Sequence, residues 1–123
     1  MTNFTYPTNC GNSPKLLRVI EIMDRYIKGM PIDFESYFEP TCIIEVSKEI
    51  TFGGIEQIRE RASKFNSKLS SVEFIDLLSH GNLVSVFGKL ELNDLTYEFG
   101  LLARYKGHKS GSKLSFVKLY LVK

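Results

Sequence analysis

Residues 83–105 read LVSVFGKLELNDLTYEFGLLARY, and this stretch decides the fold class. It divides into two apolar runs, Leu83 to Leu92 and Leu95 to Tyr105, which only Asn93-Asp94 separates. Two turn-forming residues between two runs of this kind favour a tight β-hairpin. Apolar and polar residues largely alternate along the runs, as in strands with one buried face. The stretch therefore predicts an antiparallel pair of strands.

Two further strand-like runs flank this hairpin, Ser71 to Leu78 before it and Leu114 to Val122 after it. Turn residues separate them from the hairpin at positions 79–82 and 106–113. Short connections of this kind favour antiparallel neighbours. The preceding half of the chain shows helical periodicity instead. Helices followed by a long meander predict an α+β fold.

The first helix is predicted to begin at Ser13, a good N-cap, with Pro14 in the first turn and Gly29 at the end. Its apolar residues fall on one arc when successive residues are spaced by the helical angle. They are Leu16, Val19, Ile20, Met23, Tyr26 and Ile27. This helix therefore presents one apolar face to a sheet.

A short second helix with Phe34 on its apolar side is predicted to end before Pro40. Residues 41–46 and 50–52 are rich in β-branched and aromatic side chains and predict two strands. A third helix is predicted after the glycine pair at 53–54. The predicted fold class is thus α+β, with three N-terminal helices packed on a mostly antiparallel sheet.

Length and composition limit the classes of protein. The 123 residues suffice for one domain, which we predict over 13–123, after a polar leader over 1–12. Sixteen Lys and Arg residues against fourteen Asp and Glu residues leave a net charge of +2, so no nucleic-acid partner is expected. No apolar run reaches the ~20 residues of a membrane helix, so no membrane partner is expected.

The two cysteines and the leader indicate in which compartment the protein works and whether it binds a metal or a cofactor. Cys10 and Cys42 are too few for a disulfide framework, and no Cys-x-x-Cys pattern occurs. Metal-ligating residues do not cluster, so neither a metal nor a cofactor is predicted. The leader lacks the basic and apolar regions of a signal peptide. The sequence therefore predicts a cytoplasmic protein.

The face of the sheet away from the helices is predicted to carry apolar side chains beside charged ones. Phe87, Leu102, Phe116 and Tyr120 fall there by alternation, with Lys118 among them. Such a face favours a homodimer formed through the sheet. The alternative is that these are scattered exposed aromatics without a partner.

Three motifs and the final pair of strands carry a family resemblance. The motifs are DRYI at 24–27, IDFESYFEP at 32–40 and FGGIEQI at 52–58, and the strands are 97–105 and 114–122. In this order they resemble the nuclear transport factor 2-like superfamily, which includes SnoaL-like polyketide cyclases and ketosteroid isomerases. The resemblance implies a cone-shaped domain whose strongly curved sheet wraps around the first helix and leaves a pocket.

The resemblance implies a catalytic site only in part. Tyr26 matches the oxyanion-donating tyrosine of ketosteroid isomerases, whereas the position of their base falls on Val46 and that of their second acid on about Ala103. Neither Val46 nor Ala103 transfers a proton. Glu45 lies beside the position of the base, but alternation directs it outward. We therefore predict no complete catalytic site, and the question of an enzyme stays open.

Other members of the superfamily use His and Asp pairs or an Asp-Arg-Asp trio. Both histidines of this chain, His80 and His108, fall in predicted turns, where a solvated side chain is expected. Asp76 and Arg104 are available for a trio, but alternation directs Arg104 away from the pocket. None of these residues is predicted to be catalytic.

The predicted function is the binding of a small, mostly apolar ligand in the pocket, with Tyr26 as a polar contact. The predicted ligand-binding residues are Tyr26, Phe34, Val46, Phe52, Phe99, Ala103 and Tyr105. One alternative is an isomerase, cyclase or dehydratase with an unfamiliar site that uses Tyr26 and Glu45. The other alternative is a non-catalytic dimeric interaction module, which predicts a pocket filled by its own side chains.

Overall fold

The computed structural model describes residues 3–7, 13–66, 68–109 and 111–123. Within these residues one seven-stranded sheet and three helices occur, which confirms the α+β class. The helices are α1 (Pro14–Ile27), α2 (Phe34–Tyr37) and α3 (Ile55–Asn66). The strands are β1 (Asn3–Thr5), β2 (Phe38–Val46), β3 (Ile50–Gly53), β4 (Leu69–His80), β5 (Leu83–Leu92), β6 (Leu95–Tyr105) and β7 (Leu114–Val122).

The sheet has the strand order β1-β4-β5-β6-β7-β2-β3. Neighbouring strands pair antiparallel, except that β1 with β4 and β2 with β7 are parallel. The N-terminal strands β2 and β3 therefore extend the edge of the C-terminal meander. Helix α1 contacts β1, β4 and β5, whereas α2 contacts β2, and α3 contacts β2 and β3.

The hairpin between β5 and β6 forms as its two-residue turn predicts. Asn93 and Asp94 have φ values of 52° and 65°, the left-handed pair that a tight hairpin of this kind requires. The predicted bounds of β5, β6 and β7 are confirmed. The turn fixes the register, because Leu92 pairs directly with Leu95.

Alternation divides the sheet into an inner face toward the helices and an outer face. Buried inner residues of the meander include Val72, Phe74, Val84, Val86, Leu90, Phe99, Ala103, Tyr105 and Leu114. On the helix side, Leu16, Val19, Ile20 and Ile27 of α1 complete the core. The outer face carries Ile43, Glu45, Phe87, Leu102, Arg104, Phe116, Lys118 and Tyr120.

Three local elements differ from the predictions. Strand β4 is two residues longer at each end than predicted, so His80 ends this strand and does not lie in a turn. The second helix, α2, is a single turn, and Phe38 already belongs to β2. Strand β1 falls within the predicted leader and pairs with β4, where Asn3 lies opposite Ser71. Three residues are too few to show a period, so this strand carries no sequence signal. The ring of Phe4 packs edge-on against Phe74 at 4.9 Å and so anchors β1.

Lys15 is the buried charged residue of α1, with 6% of its surface exposed. Its Nζ donates hydrogen bonds to the carbonyl oxygens of His108 and Lys109, at 2.7 and 2.9 Å. The hydroxyl of Tyr105 in turn donates to the carbonyl oxygen of Lys15 at 2.9 Å. These three bonds fix the start of α1 to the end of β6 and the loop that follows it.

Candidate functional site

A cavity of about 460 Å³ lies between the helices and the inner face of the sheet. Its wall is almost entirely aliphatic or aromatic. From the helices and the residues next to them it takes Val19, Ile22, Met23, Tyr26, Ile32, Phe34, Ile58, Arg61, Ala62, Lys64, Phe65 and Lys68. From the strands it takes Phe38, Ile44, Val46, Ile50, Phe52, Leu101, Ala103, Leu114, Val117 and Leu119.

Strand alternation and the parallel β2–β7 register build the apolar floor of the cavity. Ile44 pairs with Val117 and Val46 pairs with Leu119, so the four side chains form two adjacent rows on the inner face. Because side chains alternate along a strand, the intervening Glu45 points to the outer face. The inward-facing side chains of β2 and β7 are therefore apolar along this floor.

Tyr26 lines the cavity at the junction of α1 and α3. Its hydroxyl donates a hydrogen bond of 2.6 Å to the carbonyl oxygen of Ala62, and Asn66 Nδ2 donates to the carbonyl oxygen of Tyr26 at 3.1 Å. Burial raises the pKa of the Tyr26 phenol well above its ordinary value. The phenol therefore stays protonated, and its proton is engaged in the hydrogen bond to Ala62. Toward a ligand, the Tyr26 oxygen can only accept a hydrogen bond.

Glu45 lies on the outer face, 3.6 Å from Lys118 Nζ, and does not line the cavity. The register shift between β2 and β7 falls between Phe38 and Ile43, which leaves the regular alternation at Glu45 intact. No bulge therefore brings this carboxylate inside. The pair of Tyr26 and Glu45 considered for an enzyme is not assembled on one side of the sheet.

Five of the seven predicted ligand-binding residues line the cavity. They are Tyr26, Phe34, Val46, Phe52 and Ala103. Phe99 and Tyr105 share the inner face of β6 but lie on either side of the segment that reaches the cavity, Leu101 to Ala103. The Phe99 ring packs against Phe74 at 6.0 Å, and the Tyr105 hydroxyl is bonded to Lys15, so both belong to the packed core.

Three basic residues, Arg61, Lys64 and Lys68, line the cavity although sequence analysis does not single them out. All three are exposed, so their charged groups lie where the cavity meets solvent. Arg61 and Lys64 are three residues apart on α3 and therefore share a side of that helix. Their position beside the apolar Ala62 and Phe65 is the only sequence signal, and solvent-facing helices commonly show it.

The other residues considered for catalysis lie away from the cavity. His80, His108, Asp76 and Arg104 are exposed, and the Arg104 guanidinium sits 5.8 Å from the centre of the Phe116 ring on the outer face. Among the described residues, no three metal-ligating side chains of the His, Cys, Asp or Glu type come together. In the same part of the chain, no helix is both long enough and apolar enough to cross a membrane.

Cys42 is fully buried in β2, and burial raises the pKa of its thiol to about 11. It packs as a small apolar side chain, as its place in an apolar run predicts. Cys10 lies outside the described residues.

These observations define an α+β domain with an apolar cavity between its helices and its sheet. Comparisons with known proteins show which solved structures share this fold. No family model matches the sequence, and no curated protein matches it. Solved structures do match. A putative SnoaL-like polyketide cyclase from Shewanella denitrificans OS-217 superposes with a TM-score of 0.72 at 9% identity, over 89% of this chain and 91% of that one.

Two more solved structures superpose on this chain to a similar extent. A nuclear transport factor 2-like protein of unknown function from Burkholderia xenovorans LB400 has a TM-score of 0.70 at 13% identity, over 89% of this chain and 84% of that one. A de novo designed protein with a curved β-sheet has a TM-score of 0.70 at 25% identity, over 90% and 88%. The resemblance predicted from the sequence is therefore confirmed, and the chain has the nuclear transport factor 2-like fold.

Proposed function

We propose that the chain binds a small, mostly apolar ligand in the cavity. The observation that carries this proposal is the combination of about 460 Å³ of space with a wall of aliphatic and aromatic side chains. Ligand pockets usually span about 300–1,000 Å³ and bury most of an apolar ligand. Filling such a space with a ligand removes apolar surface from water on both partners, which stabilises the complex.

The proposal assigns residues 13–123, together with the edge strand β1 that pairs with β4, to a single SnoaL-like domain in which a strongly curved sheet wraps around the helices as a cone. Register shifts support the curvature, because β-bulges bend a strand. One leaves Ile75 of β4 unpaired opposite the step from Phe87 to Gly88, and another leaves Ser115 of β7 unpaired opposite the step from Arg104 to Tyr105. We also place the protein in the cytoplasm, where a buried thiol such as that of Cys42 stays reduced.

Within the cavity, Phe34, Phe52, Val46 and Ala103 serve as apolar contacts in this proposal. Tyr26 serves as the polar contact at the α1–α3 junction. Because the Tyr26 hydroxyl already donates its proton to the Ala62 carbonyl oxygen, Tyr26 accepts a hydrogen bond from a ligand hydroxyl and does not donate one to a ligand carbonyl. Phe99 and Tyr105 contribute to binding through the core that supports the wall.

The two alternatives receive less support. An isomerase, cyclase or dehydratase that uses Tyr26 and Glu45 needs both groups on one side of the sheet, and Glu45 lies on the other side. If the protein acted only through its surface, its own side chains would be expected to fill the pocket. The cavity instead holds about 460 Å³ of free space.

Filling the cavity tests the proposal. The probe is N-phenyl-1-naphthylamine, an uncharged dye whose fluorescence rises in apolar surroundings, titrated into the protein. Ile44→Trp adds bulk inside the cavity, and we expect it to weaken dye binding about ten-fold, because the added ring occupies ligand space. Thermal unfolding measured alongside reports whether the variant is folded.

The matched control is Ile43→Trp, the same substitution one residue earlier on β2. Ile43 is 44% exposed on the outer face, so its replacement leaves the cavity unchanged. Dye affinity of this control should equal that of the unmodified protein. Equal affinities of both variants, or a loss in Ile43→Trp alone, contradict binding in the cavity.

We further propose that two copies associate through the outer face. Phe87 is 58% exposed there, and Ile43 is 44% exposed on the same face. The face carries both signs of charge, with Glu45 beside Lys118 and Arg104 on the adjacent strand, so a copy related by a two-fold axis meets opposite charges. An apolar patch framed by charges of both signs suits a second copy of the chain.

Light scattering after size-exclusion chromatography tests the association. The proposal predicts a particle of twice the chain mass of 14.1 kDa, reduced to a single chain by Phe87→Lys. The control is Leu17→Lys, which alters a 44% exposed apolar residue of α1 away from the outer face and should leave the dimer intact. A single-chain mass for the unmodified protein at high micromolar concentration contradicts the dimer.

A further inference from the structure

The charged side chains that line the cavity share one sign. Arg61, Lys64 and Lys68 are basic, and within the described ranges no carboxylate side chain belongs to the wall. All three residues are exposed, whereas Ile58 on the preceding turn of α3 is buried. The cavity therefore has an apolar interior and a cationic opening formed by α3 and the residue two positions after it.

The positive charge at the opening is only partly balanced. Lys64 Nζ lies 3.2 Å from Glu60 Oε1, an ion pair in which both side chains are exposed. Arg61 and Lys68, by contrast, form no ion pair with a carboxylate in the part of the chain that the structure describes. The Arg61 guanidinium lies 5.4 Å from the centre of the Phe52 ring, another residue of the wall. This contact holds the charge close to the cavity.

We infer that the ligand is an amphipathic acid, with an apolar skeleton in the cavity and a carboxylate held at the opening by Arg61 and Lys68. This inference rests on the proposed function and adds the chemical class of the ligand. A guanidinium matches a carboxylate through two parallel hydrogen bonds, and a lysine adds a second charge-assisted bond. The arrangement keeps the charged head near water while the skeleton is buried, which avoids the free-energy cost of a buried ion.

The apolar floor of the cavity supports the same orientation. Tyr26 lies on the α3 side of the cavity, and its proton is committed to the Ala62 carbonyl. A carboxylate directed inward would meet the apolar floor of Ile44 and Val117, where nothing compensates its desolvation. A cationic ligand would be repelled at the opening by Arg61 and Lys68. An acid with its head outward is the ligand class that meets neither penalty.

Three ligands with a straight chain of ten carbons, the carboxyl carbon included, test the inference: decanoate, decan-1-ol and decyltrimethylammonium. Each competes with N-phenyl-1-naphthylamine at concentrations below micelle formation. Decanoate is expected to bind about three- to ten-fold more tightly than the alcohol, because two partly exposed ion contacts contribute that much. The ammonium compound is expected to bind most weakly. Only the decanoate affinity should fall as ionic strength is raised.

Variants assign the effect to the opening. Arg61→Gln and Lys68→Gln should each weaken decanoate about two- to five-fold and leave decan-1-ol unchanged, while Arg61→Lys retains part of the affinity. Lys89→Gln is the matched control, because it removes the same charge from an exposed position of β5 that lies on the outer face, between Glu73 and Glu98 of the adjacent strands. It should leave all three affinities unchanged.

The outcomes separate the two proposals. Equal or weaker binding of decanoate relative to decan-1-ol overturns the inference and leaves cavity binding standing. The same holds if decanoate binds more tightly but none of the Gln variants at the opening changes its affinity. Failure of all three ten-carbon compounds to compete overturns the inference, and cavity binding is then decided by the dye affinities of Ile44→Trp and Ile43→Trp alone.

Discussion

Replacing Gly88 with alanine is expected to lower the free energy of unfolding by about 3 kcal/mol, which corresponds to a fall in Tm of about 10–15 °C for a domain of this size. A β-carbon at this position would overlap the backbone carbonyl oxygen of Glu73 on β4. It would also approach Phe99 Cε1 to 3.0 Å. The backbone of β4 is held by its pairing with β5, so the overlap is relieved only by displacing paired strands.

Gly100→Ala is the matched control, on the adjacent strand β6. Its β-carbon would meet Phe87 Cε1 at 3.3 Å and no backbone atom within 4 Å, so a shift of a few tenths of an ångström of the ring relieves the contact. We expect a change within about 0.5 kcal/mol. Chemical denaturation of both variants measures the difference. If Gly88→Ala proves as stable as Gly100→Ala, the described contact between β4 and β5 is wrong.

The second large effect concerns Lys15. Lys15→Met keeps the aliphatic stem and removes the ammonium group, which leaves the carbonyl oxygens of His108 and Lys109 without their donor. Bonds from a charged donor contribute more than neutral ones, so we expect a loss of about 2 kcal/mol and a fall in Tm of about 6–10 °C. Hydrogen exchange should rise first in the loop between β6 and β7, because that loop loses its anchor on α1.

Lys28→Met is the control, because Lys28 lies at the C-terminal end of α1 whereas Lys15 lies in its first turn. The Nζ of Lys28 lies 3.0 Å from Asp24 Oδ2, and the side chain is 61% exposed. Surface pairs of this spacing contribute about 0.5 kcal/mol or less. Calorimetry that finds Lys15→Met no more destabilised than Lys28→Met would contradict a structural role for the buried ammonium.

The meander was predictable because its signals are local. Alternation along residues 83–105 and the two-residue turn at Asn93-Asp94 determine the strands, the hairpin and the inner face together. The parallel pairing of β2 with β7 was not predicted, since it joins segments about seventy residues apart and depends on tertiary packing. The edge strand β1 was missed for a different reason, because three residues carry no detectable period.

The candidate site was predictable where it follows strand alternation. Val46 and Ala103 face inward and Glu45 outward, as their positions along β2 and β6 indicate. Alternation does not predict how far the cavity extends along a strand: Phe99 and Tyr105 share the inner face of β6 with Ala103 but are buried in the core beside the cavity. Arg61 and Lys68 were missed, because an exposed basic residue near a helix end looks the same in sequence whether or not a cavity opens beside it.

A crystal structure of the protein with N-phenyl-1-naphthylamine bound tests the central proposal most directly. The account predicts the dye within the cavity, against Ile44 and Val117 of the floor and near Tyr26, with the outer face free of dye. Dye bound on the outer face beside Phe87, with the cavity empty or closed by its own side chains, would contradict the account.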